Sequence, residues 1–219
     1  MYTAHMKGPA VSAEELRRRR DLDDVPSRPQ AIREAATALF YERGYHGTSM
    51  RDIASALNMR APSLYNHLES KQQLLQDIMI SDITIMLEEF ADATATTTDI
   101  IEKIRRGAEA HVRHHARYAR ESRIGNTEIA ALEEPSQSRL KALRRAYAAE
   151  WRELVEQAVA QGRASTPAPD LAASAIIDMG IGVARWFRTG GRLTDSTLAT
   201  YYGDFALSLI GANQMKGTT

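Results

Sequence analysis

Three observations predict an all-α fold of about nine helices, three short ones followed by five or six longer ones. Apolar residues recur at three- and four-residue spacing from Ile32 onward, and no stretch alternates as a strand would. Thr48 and Ser70 stand where helix N-caps are expected, and Gly44 and Gly162 stand at helix ends. No internal repeat is present, so a bundle in two parts, rather than a solenoid, must accommodate the chain.

The chain has 219 residues, enough for one large or two small domains. It contains no cysteine, which excludes disulfides and thiolate chemistry and fits a reducing compartment. No run of about 18 apolar residues occurs, so no membrane span is expected. The opening "MYTAHMKGPAVSAEELRRRR" has no apolar core of signal-peptide length, and a cytoplasmic location is expected. The formal net charge is zero, so any nucleic-acid site must be a local patch.

Residues 1–27 read as a disordered arm. The block Arg17–Arg20 could touch DNA phosphates, but Asp21, Asp23 and Asp24 follow it at once, and both readings stay open. "PQAIREAATALFYERG" places Ile32, Ala35, Ala36, Leu39 and Phe40 on one face, with Gly44 as the stop. "TSMRDIASALN" has Thr48 as the expected N-cap and Met50, Ile53, Ala54 and Leu57 as its inward stripe. After a short polar segment, Ser70 with Gln73 forms a capping box opening a longer helix through Leu74, Leu75, Ile78, Ile85 and Phe90, which ends in "ATATTT".

From Asp99 the pattern stays helical. "IIEKIRRGAEAHVRHHARYAR" is predicted as one helix and "RIGNTEIAALEE" as a short one. "PSQSRLKALRRAYAAEWRELVEQAVAQGR" is predicted as a long helix, with Pro135 in its tolerated first turn. "DLAASAIIDMGIGVARWFRTGG" and "TDSTLATYYGDFALSLIGA" are the last two, broken by Gly190-Gly191.

The short polar segment "NMRAPSLYNHLESKQQLL" carries the functional argument. Ile53 and Ala54 precede a turn in which Asn58 can take the left-handed conformation, and Leu64 and Leu68 face back from the next helix. Pro62 suits a first helical turn. This is a helix-turn-helix, at about residues 49–68, whose second helix leaves Arg60, Ala61, Pro62, Ser63, Asn66 and His67 outward, with Tyr65 flanking. Such short or planar side chains allow it to sit in the major groove of duplex DNA. Thr48 and Ser49, at one helix N-terminus, and Lys71, at another, are candidate phosphate contacts, joined by Tyr65 and His67. Arg60 and Asn66 are candidate base readers. Helix–turn–helix pairs also occur in proteins that never meet DNA, so the spacing alone leaves a purely structural role open.

The stretches "LFYERGYHGTSMRDIA" and "LNMRAPSLYNHLESKQQLL" resemble the N-terminal domain of the TetR family of bacterial repressors. That family usually has Gly where this chain has Asn58 and an aromatic where it has Leu68. The resemblance implies phosphate roles for Thr48, Ser49, Tyr65, His67 and Lys71, and base-facing positions from Arg60 to Ser63. It also implies a DNA-binding domain over 28–75 and a ligand-binding and dimerisation domain over 76–219. A palindromic operator matches a two-fold dimer.

The last two helices carry small residues (Ala172, Ala173, Ala175, Gly180, Gly182, Ala184, Ala199, Gly203, Ala206, Gly211) that suit a close dimer interface or ordinary intrachain packing. Pocket candidates with an apolar body and polar tip are His111, His115, Tyr118, Asn126, Trp151, Met179, Arg185 and Trp186. His111 and His115 share a helix face at a spacing that can hold a metal, yet no third ligand is evident and no metal is expected. "VARWFRTGGRLTDSTLATYYGDF" is similar to actinobacterial regulators of lipid and steroid breakdown that respond to acyl-CoA thioesters. No cofactor is expected beyond a small-molecule effector, with an acyl-CoA as the candidate. The expected function is a repressor released from its operator by a small hydrophobic effector. The alternatives are an architectural DNA-binding dimer without effector and an enzyme acting on a thioester. No Gly-x-Ser-x-Gly, His-Glu-x-x-His, phosphate loop or cysteine nucleophile supports the last of these.

Overall fold

The computed structural model describes residues 27–212. The expected arm, with Arg17–Arg20, lies outside the described residues. Among the described residues the elements are nine α-helices and one 3-10 turn, with no strand. The helices are α1 (Arg28–Arg43), α2 (Met50–Ala56), α3 (Ala61–Leu64), α4 (Lys71–Ala95), α5 (Ile100–Arg117), α6 (Ala119–Thr127), α7 (Ser136–Ala160), α8 (Pro169–Trp186) and α9 (Asp195–Leu209). The 3-10 turn, Ile129–Ala131, lies between α6 and α7. None of these helices is long and apolar enough to cross a membrane.

Local chemistry explains the short first elements. Ser27 caps α1, and Gly44, at φ +75°, releases the chain from it. Ser49, not Thr48, is the N-cap of α2, in a reciprocal capping box with Asp52. Thr48 is buried, and its hydroxyl donates back to the carbonyls of Leu39 and Gly44. Asn58 takes φ +53° in the turn, as the sequence predicts. Ser70 caps α4 by accepting from the Gln73 amide. The Gln73 side chain reaches back one residue further than a capping box predicts, to the Glu69 amide.

The long "HVRHH" helix ends earlier than its pattern suggests. The backbone leaves helical geometry at Tyr118, and α6 starts afresh at Ala119. That break turns Ser122, Ile124 and Gly125 inward. One cluster of buried apolar side chains runs from Ile32 in α1 through Leu75, Phe90 and Trp151 to Ile210. The core is therefore continuous across residue 75, the boundary expected between head and C-terminal region, which falls within α4.

Most of the small residues of α8 and α9 pack inside the chain. Ala172, Ala173, Ala184, Ala199 and Ala206 are buried. A methyl group on Gly180 would run into the His111 ring, and one on Gly203 would press on Arg105 and Glu109. These buried residues let α8 and α9 approach α5, while Ala175 and Gly182 remain on the outward side of α8, where a methyl group on Gly182 would meet nothing within 4 Å. The outward side of the same two helices also carries large apolar residues: Leu171, Trp186, and Tyr201, Phe205 and Leu209 at four-residue spacing along α9.

Replacing Asn58 by glycine is expected to stabilise the fold by about 0.5–1 kcal/mol, because it removes the steric cost of the left-handed turn. Urea denaturation measures this, and a loss of stability would show that the Asn58 side chain contributes more than its backbone strain costs.

Candidate nucleic-acid interface and effector cavity

The helix-turn-helix is built as a platform with one free side. Ile53, Ala54, Leu64 and Leu68 are buried against α1 and α4. Arg60, Pro62, Tyr65, Asn66 and His67 are exposed on the other side, with Ala61 and Ser63 half-buried. Helix α3 has only four residues, too few to be stable alone, so its pose is set by these leucines and by its neighbours.

Ser49 is exposed, but its hydroxyl is engaged with Asp52 at 2.6 Å. Lys71 is not a free cation. Its ammonium donates to the carbonyls of Tyr45 (2.9 Å) and Thr48 (2.8 Å) and lies 4.1 Å from the centre of the Tyr45 ring. It pins the α1–α2 turn to the start of α4. Thr48 and Lys71 thus shape the head from inside, whereas Tyr65, Asn66 and His67 face outward.

Behind the head, α4 to α8 line a cavity of about 130 Å³. Met79, Ile83, Met86, Ile177 and Ile181 supply its apolar surface. Asp82, Ser122, Asn126, Arg144, His111, His115 and Tyr147 supply its polar atoms. Asn126 and Ile181 also line an outer cleft of about 370 Å³ with Arg123, Thr127, Ala184 and Arg185.

The histidines of "HVRHH" take three different states. His111 is buried, and its Nε2–H donates to the Ile177 carbonyl at 3.0 Å. A carbonyl can only accept, so Nδ1 carries no proton and accepts a hydrogen bond from the Tyr147 hydroxyl at 2.8 Å. Burial lowers the His111 pKa to about 4, and burial raises that of the Tyr147 phenol. Both nitrogens of His111 are occupied, so the pair is not arranged for a metal, and no metal-binding group of three or more His, Asp or Glu occurs among the described residues. His115 is held well below the ordinary imidazole range by burial, then by the nearby charges, and neither of its nitrogens has a hydrogen-bond partner among the described residues.

His114 points the other way, with a side chain wholly buried between Asp82 (3.1 Å) and Glu89 (2.9 Å), both on α4. Burial disfavours its charge, but hydrogen bonds and attraction from the two carboxylates outweigh burial and raise its pKa to about 9. Ser122 of α6 donates to the same Asp82 oxygen, 3.2 Å away.

Of the predicted pocket residues, His111, His115 and Asn126 line the cavity, and Asn126 and Arg185 line the outer cleft. Trp151 does not; it is fully buried against Phe90, because a large ring on the inward stripe of α7 is taken up by the core. Tyr118 lies against His114, Met179 packs on the core, and Trp186 is exposed on the outward face of α8. Asp82, Ser122, Arg144 and Tyr147 were not predicted. Asp82 had a signal: it interrupts the buried stripe of Ile78, Met79, Ile83 and Met86 with a carboxylate.

The head is fastened to this region at several points besides α4. The Tyr45 amide donates to Glu128 at 3.3 Å, and Arg123 of α6 lies 5.1 Å from the Tyr41 ring of α1. Gln72 donates to the Ala131 carbonyl at 2.7 Å, and Arg33 donates to Ser81 at 3.2 Å.

Comparison with known proteins gives concordant results. The family profile "Bacterial regulatory proteins, tetR family" matches residues 32–78. "Tetracyclin repressor-like, C-terminal domain" matches residues 97–210. The HTH-type transcriptional repressor KstR2 of Mycobacterium tuberculosis is 27% identical over 184 residues, covering 81% of this chain and 90% of that protein. The solved structure of the ketosteroid transcriptional regulator KstR2 of Mycobacterium tuberculosis superposes with a TM-score of 0.80 at 25% identity, covering 86% of this chain and 97% of that one. AibR, solved in complex with isovaleryl coenzyme A and operator DNA, gives a TM-score of 0.72 at 29% identity, covering 84% and 98%.

Two outcomes follow from the geometry. Lys71→Met removes two charge-assisted hydrogen bonds and is expected to cost about 1.5–3 kcal/mol in chemical denaturation; an unchanged midpoint would show that the turn holds without the ammonium. His114 binds its proton more tightly folded, with a pKa of about 9, than unfolded, near 6.5. Its stabilisation is complete below pH 6.5 and is lost as pH rises through about 9. Stability should therefore fall with pH across that window and flatten there in His114→Gln; identical profiles would contradict a charged His114.

Proposed function

The chain belongs to the TetR family of bacterial regulators, and on that premise we propose that it is a homodimeric repressor released from a palindromic operator by an acyl-CoA thioester. The observation that carries the DNA side is the free face of α3, held out on two buried leucines. Asn66 and Arg60 read base edges, Tyr65 and His67 donate to phosphate, and Ser49 sits at the α2 N-terminus beside the backbone. Thr48 and Lys71 act by shaping the turn that presents these groups. The head extends to about residue 75, and the remaining helices bind effector and partner. The outward apolar face of α8 and α9 is the surface through which two copies join, and the protein works in the cytoplasm with the DNA.

The cavity supports an effector over an architectural dimer. It combines apolar and polar lining residues, and it shares Asn126 and Ile181 with a cleft bearing Arg123 and Arg185. Guanidinium groups in that cleft suit the phosphates of coenzyme A. The cavity's two hydroxyls, Ser122 and Tyr147, are tied to Asp82 and His111 in the wall, which supports a fixed binding site. Cavity residues on α4 and α6 connect to the head through Lys71, Arg123–Tyr41 and Glu128–Tyr45. An effector that fits the cavity better when α4 and α6 have shifted moves the two heads apart, by its difference in affinity between the two states.

Fluorescence anisotropy with the DNA upstream of the chain's own gene tests this. Binding tighter than about 10⁻⁸ M at physiological salt is expected, weakening as salt rises. Isovaleryl-CoA should raise Kd at least about tenfold, and free coenzyme A should not. Tight binding indifferent to every acyl-CoA offered would favour the architectural reading.

A further inference from the structure

The inner cavity contains groups that a plain hydrocarbon effector would leave unsatisfied. His115 is 4% exposed, lines the cavity, and has both ring nitrogens without a partner among the described residues. Its ring neighbours are both already engaged: His111, edge-on at 4.5 Å, is bonded to Ile177 and Tyr147, and His114, edge-on at 5.7 Å, is held between Asp82 and Glu89. A buried imidazole with an unmet donor and acceptor costs about 1–3 kcal/mol, which a ligand oxygen recovers.

The charges show what kind of oxygen it is. Asp82 and Arg144 line the cavity, and behind that wall the His114 imidazolium sits between Asp82 and Glu89, so the two negative and two positive charges balance. A carboxylate placed there would add an uncompensated negative charge beside Asp82. The outer cleft is different: Arg123 and Arg185 line it and no acidic residue does. One molecule with an anionic carrier outside and a neutral polar end inside satisfies both. Size sets the last limit, since cavities on the order of 150 Å³ take up a benzene-sized group, and this one is about 130 Å³.

We propose that the inner cavity selects a short, uncharged acyl group, about four to six carbons long, bearing a hydroxyl or keto oxygen, and that His115 is the residue that reads this oxygen. The proposal rests on the acyl-CoA reading above and specifies its acyl end. Asn126, which lines both compartments, marks where the thioester passes from one to the other.

Calorimetric titration of the full-length protein with butyryl-, 3-hydroxybutyryl-, acetoacetyl-, succinyl- and palmitoyl-CoA and with free coenzyme A tests it. The hydroxy and keto thioesters should bind about tenfold tighter than butyryl-CoA, and succinyl- and palmitoyl-CoA at least about tenfold weaker than the best of them. His115→Leu should erase the advantage of the oxygenated ligands while leaving butyryl-CoA within about threefold, and His115→Gln should restore part of it. Equal affinity for butyryl- and 3-hydroxybutyryl-CoA, a preference for succinyl- or palmitoyl-CoA, or an equal loss across all ligands in His115→Leu would overturn the proposal while leaving the acyl-CoA reading intact. Binding of none of the thioesters would overturn both. If His115→Leu does not fold, the wild-type ligand series and His115→Gln decide the matter.

Discussion

The imidazolium of His114, closed off from water between Asp82 and Glu89, is the constraint on which the C-terminal region depends. A buried charge without partners is costly by several kcal/mol, so the fold must bring α4 and α5 into one register to hold it. Both carboxylates come from α4, seven residues apart on one face, and they take both imidazole nitrogens. Ser122 fastens α6 to the same Asp82. Three helices thus meet at one buried polar point, and two of its members, Asp82 and Ser122, also line the cavity.

This placement links binding to the head. Helix α4 starts inside the head, where Lys71 gathers the carbonyls of Tyr45 and Thr48, and passes the cavity two turns later at Met79 and Asp82. Helix α6 touches the cavity with Ser122 and Asn126 and touches the head with Arg123 and, at its C-cap, Glu128. A ligand among these side chains cannot change the spacing of α4 and α6 without acting on α1 and the turn beside it. The short recognition helix has little stability of its own, so it follows wherever Leu64 and Leu68 are carried.

The sequence made much of this legible, for reasons that also explain the gaps. Helix identities followed from three- and four-residue spacing, which survives any tertiary context. Asn58 was legible because few residues tolerate its turn, and the outward side of the segment from Ala61 to Leu68 because Leu64 and Leu68 are its only large aliphatic residues. Roles that depend on which partner lies across the fold were not. The two carbonyls that hold the Lys71 ammonium lie 26 and 23 residues away in the chain, and Thr48 gives up the cap position to Ser49 by turning inward. The glycines and alanines of α8 and α9 signal close packing without saying against what; Gly180 and Gly203 meet α5, while Gly182 stays open on the outward side. His114, flanked by the more conspicuous pair at 111 and 115, gained its meaning only from carboxylates 25 and 32 residues away.

The central claim is that cavity occupancy sets the position of the heads. The chain has no cysteine, so a single Glu42→Cys substitution on the exposed side of α1 places one spin label on each head of the dimer without further changes. Pulsed electron-electron distance measurement on this protein should give a distribution with operator DNA consistent with half-sites about 34 Å apart. Effector at a concentration that releases the DNA should shift it to a different mean. An identical distribution with and without such an effector would contradict the account, whatever the affinities turned out to be.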